Sequence, residues 1–333
     1  MGQVMSTNPY KAFIPFVVNP ESHYFAPENE DVHKATDPTA GDWRRVGLCE
    51  PIKGEGLQVE LDGHAHCIMA VQFNERILPG KVRDEQLVKE VARMERLEGR
   101  KISKKEYAQL REQVEFDLLP KAFIRRSVVP IIFTRMNSTT DLMLVCTSST
   151  KRADDCVAIM TGAYPDLKAS ALSVIDPVSS RLKCLAIDGF LFNEDTEQET
   201  GFFSSDSIAL KGSEKKVIRI KDKPIEDGDV QDLIRLEEYT VVEMGVAWHN
   251  KDDAADGDDP SLTFVVNEHL TFKRITTPGV KATMLKEDFF AYTVMCQRLY
   301  RKMLMKFVNA FGGMPAVSIG ASKNATADED DDL

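Results

Sequence analysis

The stretch from about Ile77 to Arg126 constrains the fold most, because it carries start and stop signals for two helices in succession. From Val82 to Glu98, apolar residues fall at 87, 91 and 94, with 88 and 92 alongside, which is the spacing of one helical face. Gly99 follows, the residue that best tolerates the left-handed backbone just past a helix. Ser103-Lys104-Lys105-Glu106 then has the spacing of a capping box, in which the serine accepts from the backbone amide of residue 106 and the glutamate reaches back. Tyr107, Leu110, Val114 and Leu118 predict the buried face of the second helix, and Pro120 limits its continuation. The expectation is an α-helical hairpin whose turn carries Arg100, Lys101, Lys104 and Lys105.

Charge singles out the same segment. The net charge of −11 argues against a nucleic-acid partner at first sight. From Arg76 to Arg126, however, there are 14 lysines and arginines against 9 carboxylates, a net of +5, so the rest of the chain carries −16. Much of that lies in an acidic loop at 249–261 and in the tail Asp328-Glu329-Asp330-Asp331-Asp332. A single basic element can attract phosphates while the whole chain is acidic. Arg93 and Arg96 extend the basic surface, as do Lys121, Arg125 and Arg126. Interleaved lysine and glutamate also suit a helix pair that is merely solvated. No aromatic interleaving accompanies the cations, so a stacking platform for single strands is not indicated.

Around this segment the pattern is mixed. Ala12–Val18 reads as a strand, 19–41 as a long loop, and Gln58–Leu61 with Ala65–Phe73 as a β-hairpin turning at Asp62-Gly63. Strands at Val128–Phe133 and Asp141–Thr147, a helix near Ser149–Gly162 and a strand near Ala171–Val174 follow, as expected of an α+β core. Lys183–Phe192 reads as extended, and Lys215–Lys221 as a half-buried strand with Arg219 and Lys221 outward. Tyr239–Trp248 and Leu262–Val266 look like paired strands. Lys286–Phe311 reads as one long amphipathic helix, stopped by Gly312-Gly313. The organisation expected is an N-terminal β-rich part (1–76), the basic hairpin (77–126), an α/β central part (127–284), the long helix (285–313) and a disordered acidic tail (314–333).

Other chemistries find weak support. No run of 18 apolar residues spans a membrane, and the N-terminus lacks a signal-peptide layout, though Gly2 and Ser6 fit a short myristoylation pattern. The six cysteines form no Cys-x-x-Cys pair and read as reduced thiols of a cytoplasmic protein. His64 and His66 share a strand face without further metal-ligand spacing and read as residues of a surface strand, and the acidic loop lacks the glutamate of a calcium loop. A magnesium-dependent nuclease would need clustered carboxylates; Asp206 with Glu214-Lys215-Lys216 is the nearest candidate, and a solvated loop explains it equally. No cofactor is expected.

Ile77-Leu78-Pro79, Arg100-Lys101, Lys104-Lys105 and Leu118-Leu119-Pro120-Lys121-Ala122-Phe123 together resemble the recombination-associated RdgC family. The likeness continues through Leu142–Cys146, Lys151–Asp155, Val217–Lys221, Val246–Trp248, Leu270–Arg274 and Phe311–Gly313, covering about residues 65–313. It implies an α+β homodimer closed into a ring, nucleoid-associated in the cytoplasm. Such a ring binds double-stranded and single-stranded DNA without sequence preference and restrains RecA-type recombinases. It implies DNA contact at Arg100 and Lys101, with a second basic contact near Lys221. This sequence has Ser103, Asp222 and Tyr239 where the family is basic, departures compatible with a divergent phage-encoded member. Phe123 matches an aromatic residue packed across a subunit interface; a core role within one subunit is the competing reading. An exonuclease, or a scaffold whose acidic tail recruits replication or repair proteins, are the alternatives.

Overall fold

Runs such as Cys67-Ile68-Met69-Ala70-Val71 and Leu142-Met143-Leu144-Val145 are buried at every position. Strand side chains alternate between faces, so such runs belong to a sheet covered on both sides. The computed structural model describes residues 8–20, 30–63, 66–137, 139–193, 198–212, 214, 216–221, 223–250, 262–277 and 288–315. The first sheet contains β1 (Ile14–Val18), β2 (Arg44–Cys49), β3 (Val59–Glu60), β4 (Cys67–Ile77), β5 (Phe123–Asn137), β6 (Thr140–Val145) and β7 (Ser170–Ala171). Its order is β2-β4-β5-β6-β1-β7, with β3 also on β4 and every pairing antiparallel.

Helix α1 (Glu30–His33) precedes β2, and α4 (Thr150–Ala163) packs on one face of this sheet through Ala153, Cys156 and Met160 against Met69, Val71, Phe133 and Met143. The other face, with Val17, Ile68, Ile132 and Leu144, joins a larger core. That core holds α5 (Val178–Asp188), α6 (Gly228–Arg235), α7 (Phe289–Ala310) and the inner face of a second sheet. The second sheet has β8 (Phe190–Asn193), β9 (Gln198–Lys211), β10 (Val217–Lys221), β11 (Thr240–Trp248), β12 (Leu262–Asn267) and β13 (Phe272–Thr276). Its order is β10-β9-β11-β12-β13, with β8 beside the first half of β9. Phe307 of α7 meets Phe202 and Phe272 edge-on, and Phe13 stacks on Phe272 where the two sheets bridge.

The architecture is α+β, as expected. The β3–β4 hairpin, the β11–β12 pair and α7 form where the sequence predicts them. Two readings fail. Of Lys183–Phe192 only the end is extended, in β8: 178–188 is helical, because Leu182, Leu185 and Ala186 bury one helical face and Gly189, at φ +81°, ends it. His66 is not a surface residue. It is buried, accepts from or donates to Thr134 Oγ1 at 3.0 Å, and lies 3.1 Å from Gln297 Nε2 of α7. Burial, then the nearby Arg301 charge, lowers its pKa and favours the neutral imidazole. His64, residues 251–261 of the acidic loop and 316–333 of the tail lie outside the described residues.

Candidate nucleic-acid interface

The helical hairpin is inserted between β4 and β5, whose pairing runs without a break from Cys67↔Phe133 to Ile77↔Phe123. Helix α2 (Gly80–Glu98) and helix α3 (Lys104–Leu118) follow the expected signals. Gly99 is left-handed at φ +66°, and both arms of the capping box form, Ser103 N to Glu106 Oε2 at 2.7 Å and Glu106 N to Ser103 Oγ at 3.3 Å. Nineteen residues make α2 about 28 Å long. Its own core is thin: among the helical side chains only Leu87 and Val114 are buried, and Tyr107, placed on the inner face by spacing, is 46% exposed. Polar ties compensate. Arg83 bridges to Glu115 at 3.2 Å, and at the root Arg76 donates to the Leu119 carbonyl at 2.8 Å.

The turn brings Arg100, Lys101, Lys104 and Lys105 together, all exposed. They are not equivalent. Arg100 is held by Glu98 at 2.7 Å and by Glu106 at 2.6 Å. The Glu106 contact, more than Glu98, pushes the guanidinium pKa up; in return Arg100, with the Ser103 amide, pulls Glu106 down to about 2. Arg93 pairs with Glu90 at 2.8 Å, while Arg125 and Arg126 pair with Glu75 and Asp37. Among the described residues, Lys101, Lys104, Lys105 and Arg96 have no carboxylate within ion-pair distance. Phe123, at the root, is 81% exposed, which removes the reading of it as a core residue of one subunit.

Arg219 and Lys221 lie elsewhere, on the outer face of the second sheet. Strand β10 alternates exposed and half-buried, so Ile218 and Ile220 point inward while Arg219 and Lys221 point out. Opposite them on β9 stand Ala209 and Ser207, with Lys211 at the strand end. All three helices of the large core pack on the inner side, leaving this face without a helix among the described residues. The sequence reading missed Lys211, Lys273 and Arg274. Between β12 and β13 the register slips by one residue, and Arg274 sits at φ +51° in that bulge. A bulge sets two residues against one, so consecutive side chains can share a face. Lys273 accordingly reaches Glu243 at 3.0 Å, and Arg274 lines the same shallow depression as Ser207, Ala209, Arg219, Lys221 and Glu243. Gly245 keeps the floor low, since a Cβ there would stand 2.7 Å from Ser207 Oγ. Apart from the Lys273–Glu243 pair, the cations Lys211, Arg219, Lys221 and Arg274 have no carboxylate partner among the described residues.

Backbone-directed recognition needs such groups: unneutralised ammonium and guanidinium ions over a floor of small hydroxyl and glycine residues, with no pocket shaped to a base. Nuclease chemistry has less to draw on. Glu214 is tied to Lys216, and no group of three His, Cys, Asp or Glu suited to a metal ion occurs among the described residues. No helix among them is long and apolar enough to cross a membrane.

A two-sheet α+β protein with a basic helical arm is thus defined, and comparison with known proteins gives it a family. The family model described as "Putative exonuclease, RdgC" matches residues 31–314. The recombination-associated protein RdgC of Haemophilus influenzae is 26% identical over 284 residues, covering 83% of this chain and 87% of that protein. That of Shewanella frigidimarina is 30% identical over 192 residues, 57% of this chain and 60% of its own, and that of Pseudomonas syringae 27% over 239, 71% of each. The chain belongs to the RdgC family.

Proposed function

We propose that this chain binds duplex DNA without reading its sequence and modulates homologous recombination by occupying DNA, not by cutting it. The observation that carries the reading is the outer face of the second sheet, where Arg219, Lys221 and Arg274 line one depression, with Lys211 on the same face, all without a carboxylate partner among the described residues. The exposed Lys101, Lys104 and Lys105 of the arm supply a second, separate contact. The relatives' names associate them with recombination, and the RdgC resemblance adds a homodimer closed into a ring around DNA that limits RecA-type strand exchange. In that arrangement the exposed Phe123 at the root of the arm packs against the partner subunit. Single-stranded DNA would bind through the same phosphates, more weakly because its charge is less dense.

The test is a titration of unrelated duplex sequences at several salt concentrations. Affinity should be similar for all of them, and its log-log slope against salt should be about −0.9 for each phosphate neutralised. Affinity that barely changes between low and moderate salt would overturn the mechanism. Labelled linear duplex incubated with the protein and Mg²⁺ separates binding from exonuclease action: this reading predicts no released nucleotides.

A further inference from the structure

We propose that the acidic run Asp328–Asp332 docks on the outer face of the second sheet and competes there with the nucleic-acid backbone. This rests on the DNA-binding reading for the competitor, though not for the docking itself. Five successive carboxylates match a face where Lys211, Arg219, Lys221 and Arg274 have no carboxylate partner among the described residues, Glu243 in the same depression being held by Lys273. The hairpin also offers Arg96, Lys101, Lys104 and Lys105 unpaired among the described residues, but Glu90, Glu98 and Glu106, which hold Arg93 and Arg100, stand among them and repel an acidic run.

Reach allows the same choice. Helix α7 ends beside β8: Arg181 donates to both the Ala310 and the Phe192 carbonyls. Phe192 pairs with Glu199 of β9, and Arg219 pairs with Ala209 of the same strand, ten residues or about 34 Å along it. The 13 residue-to-residue steps from Pro315 to Asp328 span up to about 45 Å when extended. Tethered at that range, the run acts at an effective concentration on the order of millimolar. Its attraction is electrostatic and falls with salt.

Two measurements on the full chain test this. Zero-length carbodiimide coupling joins carboxylates to amines in contact, and should link Asp328–Asp332 to Lys211, Lys221 or Lys273. Links confined to Lys101, Lys104 and Lys105 would overturn the docking. Second, a variant with Asp328→Asn, Glu329→Gln, Asp330→Asn, Asp331→Asn and Asp332→Asn should bind duplex several-fold tighter at low salt, the gap closing as salt rises. In an Arg219→Ser, Lys221→Ser background the same neutralisation should change little. Equal affinity of the native and neutralised chains at every salt concentration would overturn the competition. If neither binds duplex, the proposed function fails, and the cross-link map alone decides the docking.

Discussion

At the tip of the arm Arg100 is gripped by Glu98 and Glu106, whereas Arg219 and Arg274 stand on the second sheet with no carboxylate partner among the described residues. Their supports differ as much as their charges. The tip rides on two helices with one buried side chain each, Leu87 and Val114, while the sheet face is backed by the core that holds Trp248, Phe272 and Phe307. An anion reaching Arg100 must displace Glu98 and Glu106, the second of which also caps the start of α3. One reaching Arg219 has no carboxylate of the described residues to displace. The difference teaches that counting basic residues overstates a site, because interleaved carboxylates cancel much of what the count suggests.

The largest effect should therefore come from the sheet. Replacing Arg219 and Lys221 with Glu should lower duplex affinity most, and neutral replacement should reduce the salt slope by about one per lost contact; fluorescence anisotropy measures both. Replacing Arg100 and Lys101 with Glu should cost less and weaken all sequences about equally. A greater loss at the tip than at the sheet would reverse the ranking, and a loss confined to one sequence would break the backbone-contact mechanism.

Smaller effects probe the arm alone. Ser103→Ala removes one half of the capping box and should destabilise the hairpin by about 1 kcal/mol, seen as faster amide exchange across α3 with the sheets unaffected. The smallest effect is one of pH. Glu106 has its pKa depressed in the folded chain to about 2, so its contribution is complete above the ordinary glutamate pKa and is lost as pH falls through 2. A carboxyl titration of Glu106 near 4.5, followed by NMR, would show that the Arg100 grip does not persist in solution.

The arm was readable because its signals are local: Gly99, the Ser103–Glu106 box and a 3.6-residue period all act within a few residues. The period also placed α7. The sheet face was only half readable. Alternation in Val217–Lys221 exposed Arg219 and Lys221, but a bulge turns Lys273 and Arg274 together, and a bulge leaves no alternation to read. Strand β9 was missed altogether, since Gly201 and the serines at 204, 205 and 207 interrupt its apolar pattern, and its register against β11 shifts twice. Tyr107 marks the opposite limit, a residue whose spacing put it inside a hairpin too thin to cover it.

The uninterrupted ladder from Cys67↔Phe133 to Ile77↔Phe123 gives the arm a mounting with no hinge of its own. Such a mounting behaves as a ruled stem. Adding one residue to each strand would turn every side chain between the two insertions, the arm included, to the opposite side of the sheet. Adding two would preserve the sides and carry the arm outward by about 7 Å. Through this mounting, any span that the arm helps to set lengthens in steps of about 7 Å, as on a ratchet.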